Sequence, residues 1–174
     1  LMGSSLILLA FLIFPLGGRM TAVISAAITI VALISELQEL GFANNLFRLL
    51  VPKGESQNVF AVIPPSGEHL SDLVLVGHLD SQRTPIIFRS ATWVKVYDKF
   101  TTVAFVTFIL QAGLYSLAAI FLWSWVWLAT IPTALSAILL AAMCIQADLT
   151  PFSAGANDNA SAVGMVLTLA EELA

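Results

Sequence analysis

Apolar and polar positions divide the chain into stretches of different rhythm. Leu6–Leu16 is almost wholly apolar and ends on Pro15, Gly17, Gly18 and Arg19; Met20–Ile34 is apolar again. Each piece is short against the roughly 20 residues that a spanning helix needs. Together they predict a tight helical hairpin, with a single kinked helix as the alternative. From Ser35 to Val51 the rhythm changes. Glu36, Gln38 and Glu39 interleave with Leu37 and Leu40, and Leu46, Phe47 and Leu50 follow, the spacing of an amphipathic helix broken near residues 41–45. After a polar turn at residues 52–57, NVFAVI (58–63) predicts a strand. Residues 64–70 turn, and DLVLV (72–76) predicts a second strand, apolar enough to be covered on both faces as in α/β sheets.

The next stretch predicts membrane helices. Residues 88–100 set Phe88, Trp93, Tyr97 and Phe100 among Arg89, Lys95 and Lys99, the pattern of a helix lying in the membrane interface. Thr101–Leu122 and Trp125–Ala147 are then apolar for roughly 22 residues each, enough to cross a ~30 Å hydrocarbon core. Trp123, Trp125 and Trp127 mark the turn between them, at the far interface. The competing reading is a pair of buried core helices, and the charge-free length matched to a bilayer argues against it. A hairpin of this kind leaves after Asp80 and returns before Asp148. The polar pieces on either side therefore lie on one side of the membrane and can form one domain, with the hairpin as an insertion. The expected organisation is an N-terminal transmembrane helix or hairpin (1–34), a first part of a domain (35–90), an interfacial helix with the inserted hairpin (91–147), and the domain continued (148–174).

Composition strengthens the membrane reading. The 174 residues are 59% hydrophobic and 10% charged, with mean hydropathy +0.93, whereas soluble domains average about 25% charged. A net charge of −4 carries no nucleic-acid signal. The one cysteine, Cys144, excludes an intrachain disulfide. Leu1–Leu16 lacks the basic start of a signal peptide, and its small residues Gly3, Ser4 and Ser5 precede the apolar core, so a transmembrane or truncated transmembrane segment is the expectation. Leu1, and Ala174 at the end of a running helix, read as the ends of a fragment.

Candidate chemistry sits in two places. In Gly77-His78-Leu79-Asp80, residues two apart on a strand point to one face, and the carboxyl end of a buried strand is where ligands bind in open α/β sheets. His78 is a candidate metal ligand, with Asp80 as the carboxylate that orients its ring. Alone, such a histidine is more often a capped polar residue. In Gly155-Ala156-Asn157-Asp158-Asn159, glycine turns the chain, Asp158 or Asn159 caps a helix, and residues 160–173 form that helix. Its buried side would hold Ala162, Val163, Val166, Leu167, Leu169, Ala170 and Leu173. The functional alternative makes Asp158 a carboxylate bridging two cations about 3.5–4 Å apart.

Taken together, "VLVGHLDS" and "AGANDNASAVGMVLTLAEEL", with "SQNVFAVIPP" upstream, resemble the co-catalytic di-zinc aminopeptidases of clan MH, metallopeptidase family 28. The likeness covers roughly residues 36–81 and 151–174, and neither the first membrane segments nor the 101–147 hairpin. It implies an α/β zinc-exopeptidase-like domain with a mixed, mostly parallel sheet. It also implies two zinc ions and hydrolysis of a peptide bond, typically releasing an N-terminal residue. Zinc in such a site lowers the pKa of the attacking water and polarises the carbonyl. By the same likeness His78 is a zinc ligand, Asp80 the aspartate that holds it, and Asp158 the bridging ligand. Asn159 and Ser161 support the loop without ligating metal.

The sequence departs from the pattern at Val76 and Ala162, where the family has glycine, and in the membrane hairpin between the motifs. The family's general-base glutamate, its neighbouring glutamate ligand, a further acidic ligand and a second histidine come later in its members. Glu171 and Glu172 follow Asp158 too closely to be that pair and read as solvated helix charges. His69 reads as a surface residue, Asp98 and Asp148 as solvated positions flanking the hairpin, and Arg83 and Arg89 as contacts to lipid headgroups rather than substrate. The expected protein is a membrane-anchored zinc exopeptidase acting on peptides, its domain on the extracytoplasmic side. On this reading the 174 residues alone are inactive and bind zinc weakly. Its alternatives are a peptidase-like membrane protein without activity, serving as a binding or scaffolding module, and a single-zinc cyclase or another hydrolase.

Overall fold

A helix satisfies its own backbone, and helices are what this chain forms. The computed structural model describes residues 1–51, 54–55 and 57–173, apart from the side chains of Leu46, Asn157 and Asp158. It is 69% helical, and no strand or sheet occurs among the described residues. Two compact units divide it, one of Leu1–Pro52 with Pro85–Leu149, the other of Lys53–Thr84 with Thr150–Ala174.

The first unit is a helical bundle. Helix α1 (Met2–Ile13) runs into a 3-10 turn at Phe14–Leu16. Gly17 and Gly18 then take φ of 92° and 86°, backbone that side chains beyond glycine rarely adopt, and α2 (Gly18–Leu40) packs back along α1. The hairpin thus forms, rather than one kinked helix. α2 continues to Leu40, so the amphipathic stretch expected to start at Ser35 is its last turns followed by a short 3-10 turn at Leu46–Leu49.

Helix α3 spans Ala91–Phe121 without a break, which merges the expected interfacial helix with the first span of the hairpin. Ser90 caps it, its Oγ accepting from the Trp93 N–H at 3.3 Å. Leu122 ends it in left-handed backbone. The second span is divided into a single turn, α4 (Val126–Ala129), and α5 (Ile131–Leu149). Pro132 explains the division, since its missing N–H and fixed φ are tolerated only in the first turn of a helix.

α1 packs on α2 and α5, and α3 packs on α2 and α5. The buried stripe of α2 is made of small residues, Ala22, Ser25, Ala26, Thr29, Ala32 and Ser35. Small residues let helix backbones approach closely where lipid offers no hydrophobic drive to associate. Larger side chains from the neighbours fill against them: Ile7, Phe14, Phe108 and Tyr115 are all buried, and the Phe14 and Tyr115 rings stack at 4.3 Å. Polar links cross the bundle. Gln111 donates through Nε2 to Thr29 Oγ1 at 3.2 Å, Tyr115 and Thr130 share a hydrogen bond of 2.9 Å, and Trp127 donates to the Phe11 carbonyl at 3.1 Å. The outer faces of these helices are apolar and exposed, as at Leu110, Ile120 and Leu135. Three helices, α2, α3 and α5, are long and apolar enough to cross a membrane, as an integral membrane protein requires.

The second unit corrects the expected fold class. The α/β domain with a mostly parallel sheet is not formed: residues 58–63 and 72–76 lie in no ladder. Val59, Phe60, Val62, Leu73, Val74 and Val76 are between 70% and 89% exposed. The physical reason lies in the strand itself. Its N–H and C=O groups need a neighbouring strand, and two short strands without further partners are marginal in water. Apolar alternation marks a surface that can be covered; it does not supply the cover.

Candidate metal-binding site

The two motifs singled out by sequence belong to the second unit, and two sets of contacts hold their flanks together. The first is a short antiparallel clip. Arg83 bridges to Phe152, the Ser153 N–H donates to the Gln82 carbonyl at 2.8 Å, and the Thr84 N–H donates to the Pro151 carbonyl at 3.1 Å. Arg83 also donates to the Thr150 carbonyl at 2.7 Å and lies 4.5 Å above the centre of the Phe152 ring, within cation–π range. Arg83 is therefore engaged by its own chain. The second contact is at Gly77, where an added Cβ would stand 3.3 Å from Val163 Cγ2 and 3.5 Å from the Val163 backbone. The residue before His78 thus lies against the first turns of the helix that follows Asp158.

That helix, α6 (Ser161–Leu173), is preceded by one π-type turn at Ala156–Ala160, closed by the Ala160 N–H donating to the Gly155 carbonyl at 2.9 Å. Gly155 enters it with φ 68°, so glycine makes the turn as expected. It also occupies the N-cap position of the π turn. Such turns occur frequently at functional sites. α6 is less covered than its pattern implies. Ala162, Val163, Val166 and Ala170 are half-buried, while Leu167, Leu169 and Leu173 are exposed.

His78 and Asp80 meet. His78 Nδ1 stands 3.1 Å from Asp80 Oδ1 and 3.3 Å from the Asp80 carbonyl oxygen. The pair forms without a sheet. An imidazole holding its proton on Nδ1 donates to Asp80, which leaves Nε2 as the nitrogen with a lone pair, the arrangement common to metal-bound histidines. The two side chains are 54% and 89% exposed. Asp158 has its backbone in the π turn, and its side chain lies outside the described residues. Asn159 is half-buried and Ser161 exposed at the start of α6; Glu171 and Glu172 are exposed near its end.

His69 is on the surface, as expected from sequence, and its Nε2 lies 2.9 Å from Asp72 Oδ1, three positions on, a pairing the sequence reading did not name. The i, i+3 spacing of a histidine and an aspartate was the available signal. No group of three or more His, Cys, Asp or Glu side chains that could hold a metal occurs among the described residues. A structural zinc takes four protein ligands and a catalytic one three with a water. The described residues thus offer one oriented imidazole and do not by themselves close a zinc site.

No family of known proteins, no curated protein and no solved structure matches this chain.

Proposed function

We propose that this chain carries part of the metal centre of a membrane-anchored, zinc-dependent exopeptidase that cleaves peptides in the manner of an aminopeptidase. The single observation that carries the reading is the His78–Asp80 pair at 3.1 Å, with Gly77 packed on the helix that follows Asp158. The reading rests on these side chains and not on a fold likeness, which says little about chemistry by itself. On it, His78 and Asp158 are ligands, Asp80 orients His78, and two zinc ions are bound by the whole protein. The glutamates and second histidine that the reading requires are not supplied by Glu171, Glu172 or His69, which stand where a surface places them.

The test is made on the full natural chain containing these residues. Zinc content and hydrolysis of an aminoacyl reporter are measured for the wild type and for His78→Ala, Asp158→Ala and Asp80→Asn. The first two variants lose both zinc and turnover. Asp80→Asn weakens zinc binding about 10–100-fold, the usual effect of removing a carboxylate that orients a histidine ligand. Wild-type turnover in His78→Ala and Asp158→Ala overturns the assignment. A folded wild type with neither zinc nor turnover favours a binding or scaffolding role.

The second unit is placed on the extracytoplasmic side, on the strength of Arg19 in the short α1–α2 turn, where basic residues mark the cytoplasm. Arg89, Lys95 and Lys99 count in the other direction. A Ser66→Cys variant in a Cys144→Ser background decides between them. Labelling by an impermeant maleimide in intact cells supports this orientation, and labelling only after lysis reverses it.

A further inference from the structure

The unbroken α3 fixes the depth of charges that a separate interfacial helix would leave adrift. Its 31 residues extend for about 46 Å, against a hydrocarbon core of about 30 Å. The charge-free part, residues 101–121, accounts for roughly 31 Å of this and fills the core. Lys99 then stands about 3 Å beyond its edge, in the polar headgroup layer, which is roughly 5–8 Å thick on each side, and Lys95, about 9 Å out, stands at the outer margin of that layer.

Their direction is fixed as well. Tyr97 lines a cavity of about 110 Å³ with Leu140, Met143 and Cys144, so this side of α3 faces α5. At 100° per residue, positions two before and two after Tyr97 each lie about 160° away from it. Lys95 and Lys99 therefore point away from the bundle, one turn apart, into the surrounding lipid, and both are exposed. Arg89 is exposed in the 3-10 turn just before α3. None of the three forms an ion pair among the described residues. Asp98 is the one acidic residue between positions 89 and 99, so this segment keeps a net charge of +2 in a chain whose total is −4.

We infer that Lys95 and Lys99, with Arg89 from the turn before the helix, form a binding site for the headgroup of an anionic phospholipid in the leaflet at the α3 N-terminus. The charge is of the right sign, at headgroup depth, and turned toward the lipid. The inference rests on the membrane-spanning helices alone and does not depend on the peptidase reading.

The test uses the full chain reconstituted with spin-labelled phosphatidylglycerol or phosphatidylcholine, and reads the ratio of the two association constants from the motionally restricted lipid. The wild type prefers phosphatidylglycerol. Lys95→Gln and Lys99→Gln each lower that preference by up to about five-fold, the effect of one cation near an anionic surface, while Lys95→Arg retains it. Raising the salt weakens the preference in the wild type and little in the double glutamine variant. Circular dichroism establishes that the variants keep their helices. An unchanged preference in the folded double glutamine variant overturns the site. So does displacement of the lipid by inorganic phosphate at comparable concentration, which would make this a site for a soluble anion.

Discussion

In α3, Ala104, Phe108, Gln111, Ala112, Tyr115 and Ala118 are buried against neighbouring helices; in α6, Met165, Leu167 and Leu173 stand exposed, and so do Val59, Phe60 and Val62 in the irregular chain before His78. Both regions have an apolar face with the right period. In the bundle that face meets others of its kind, and each helix has already satisfied its own amides. In the second unit the segments expected as strands need a neighbour for backbone and side chains alike, and the unit offers one short clip, at Arg83 and Phe152, and one helix, against Gly77. Hydrophobic pattern thus leads directly to structure where hydrogen bonding is local, and only conditionally where it is not.

The largest expected effect is in amide exchange. In detergent micelles, amides of α3 between Ala104 and Ala118 exchange more slowly than those of residues 58–63 by about 10³-fold or more, because the first open only with the bundle and the second are already open. Matching slow exchange in 58–63 breaks the comparison and means that these strands have found partners. A smaller effect separates two phenylalanines. Phe108→Ala, which empties a buried position, destabilises the helical signal by about 3 kcal/mol. Phe60→Ala, at an exposed one, stays within about 0.5 kcal/mol. A large loss at Phe60 shows that the second unit has a core of its own.

The spans at 101–122 and 125–147 were legible because twenty charge-free residues leave few alternatives to a helix. Two boundaries were not. The junction at Phe100 is seamless because nothing from Trp93 to Thr101 breaks a helix, and a change in polarity is not a change in backbone. The division at Thr130 depends on Pro132, which an apolar window reads as one more apolar residue. At the candidate site, the proximity of His78 and Asp80 was legible because i, i+2 neighbours share a side in any extended chain. A π turn at Ala156–Ala160, entered at a glycine in left-handed backbone, precedes the helix, and the pattern of polar residues there gave no sign of it. The His69–Asp72 pair was missed because its spacing is expected to bring side chains together on a helix and these residues lie in none. The sheet was expected from apolar runs whose partners must come from elsewhere in a chain, which no single run can reveal.

The clip at Gln82–Thr84 and Pro151–Ser153 has a topological consequence. Thr84 and Pro151 are 67 positions apart in sequence yet joined by a hydrogen bond of 3.1 Å, so the intervening chain leaves and returns with almost no net displacement. Such an excursion behaves as a cassette. Its length can change by whole helices while its end points stay together, and the entropy of closing the loop grows only logarithmically with its length. The surrounding segments register a loop of zero span, the condition under which a membrane hairpin can be grafted into a domain, or excised from it, without moving the residues on either side.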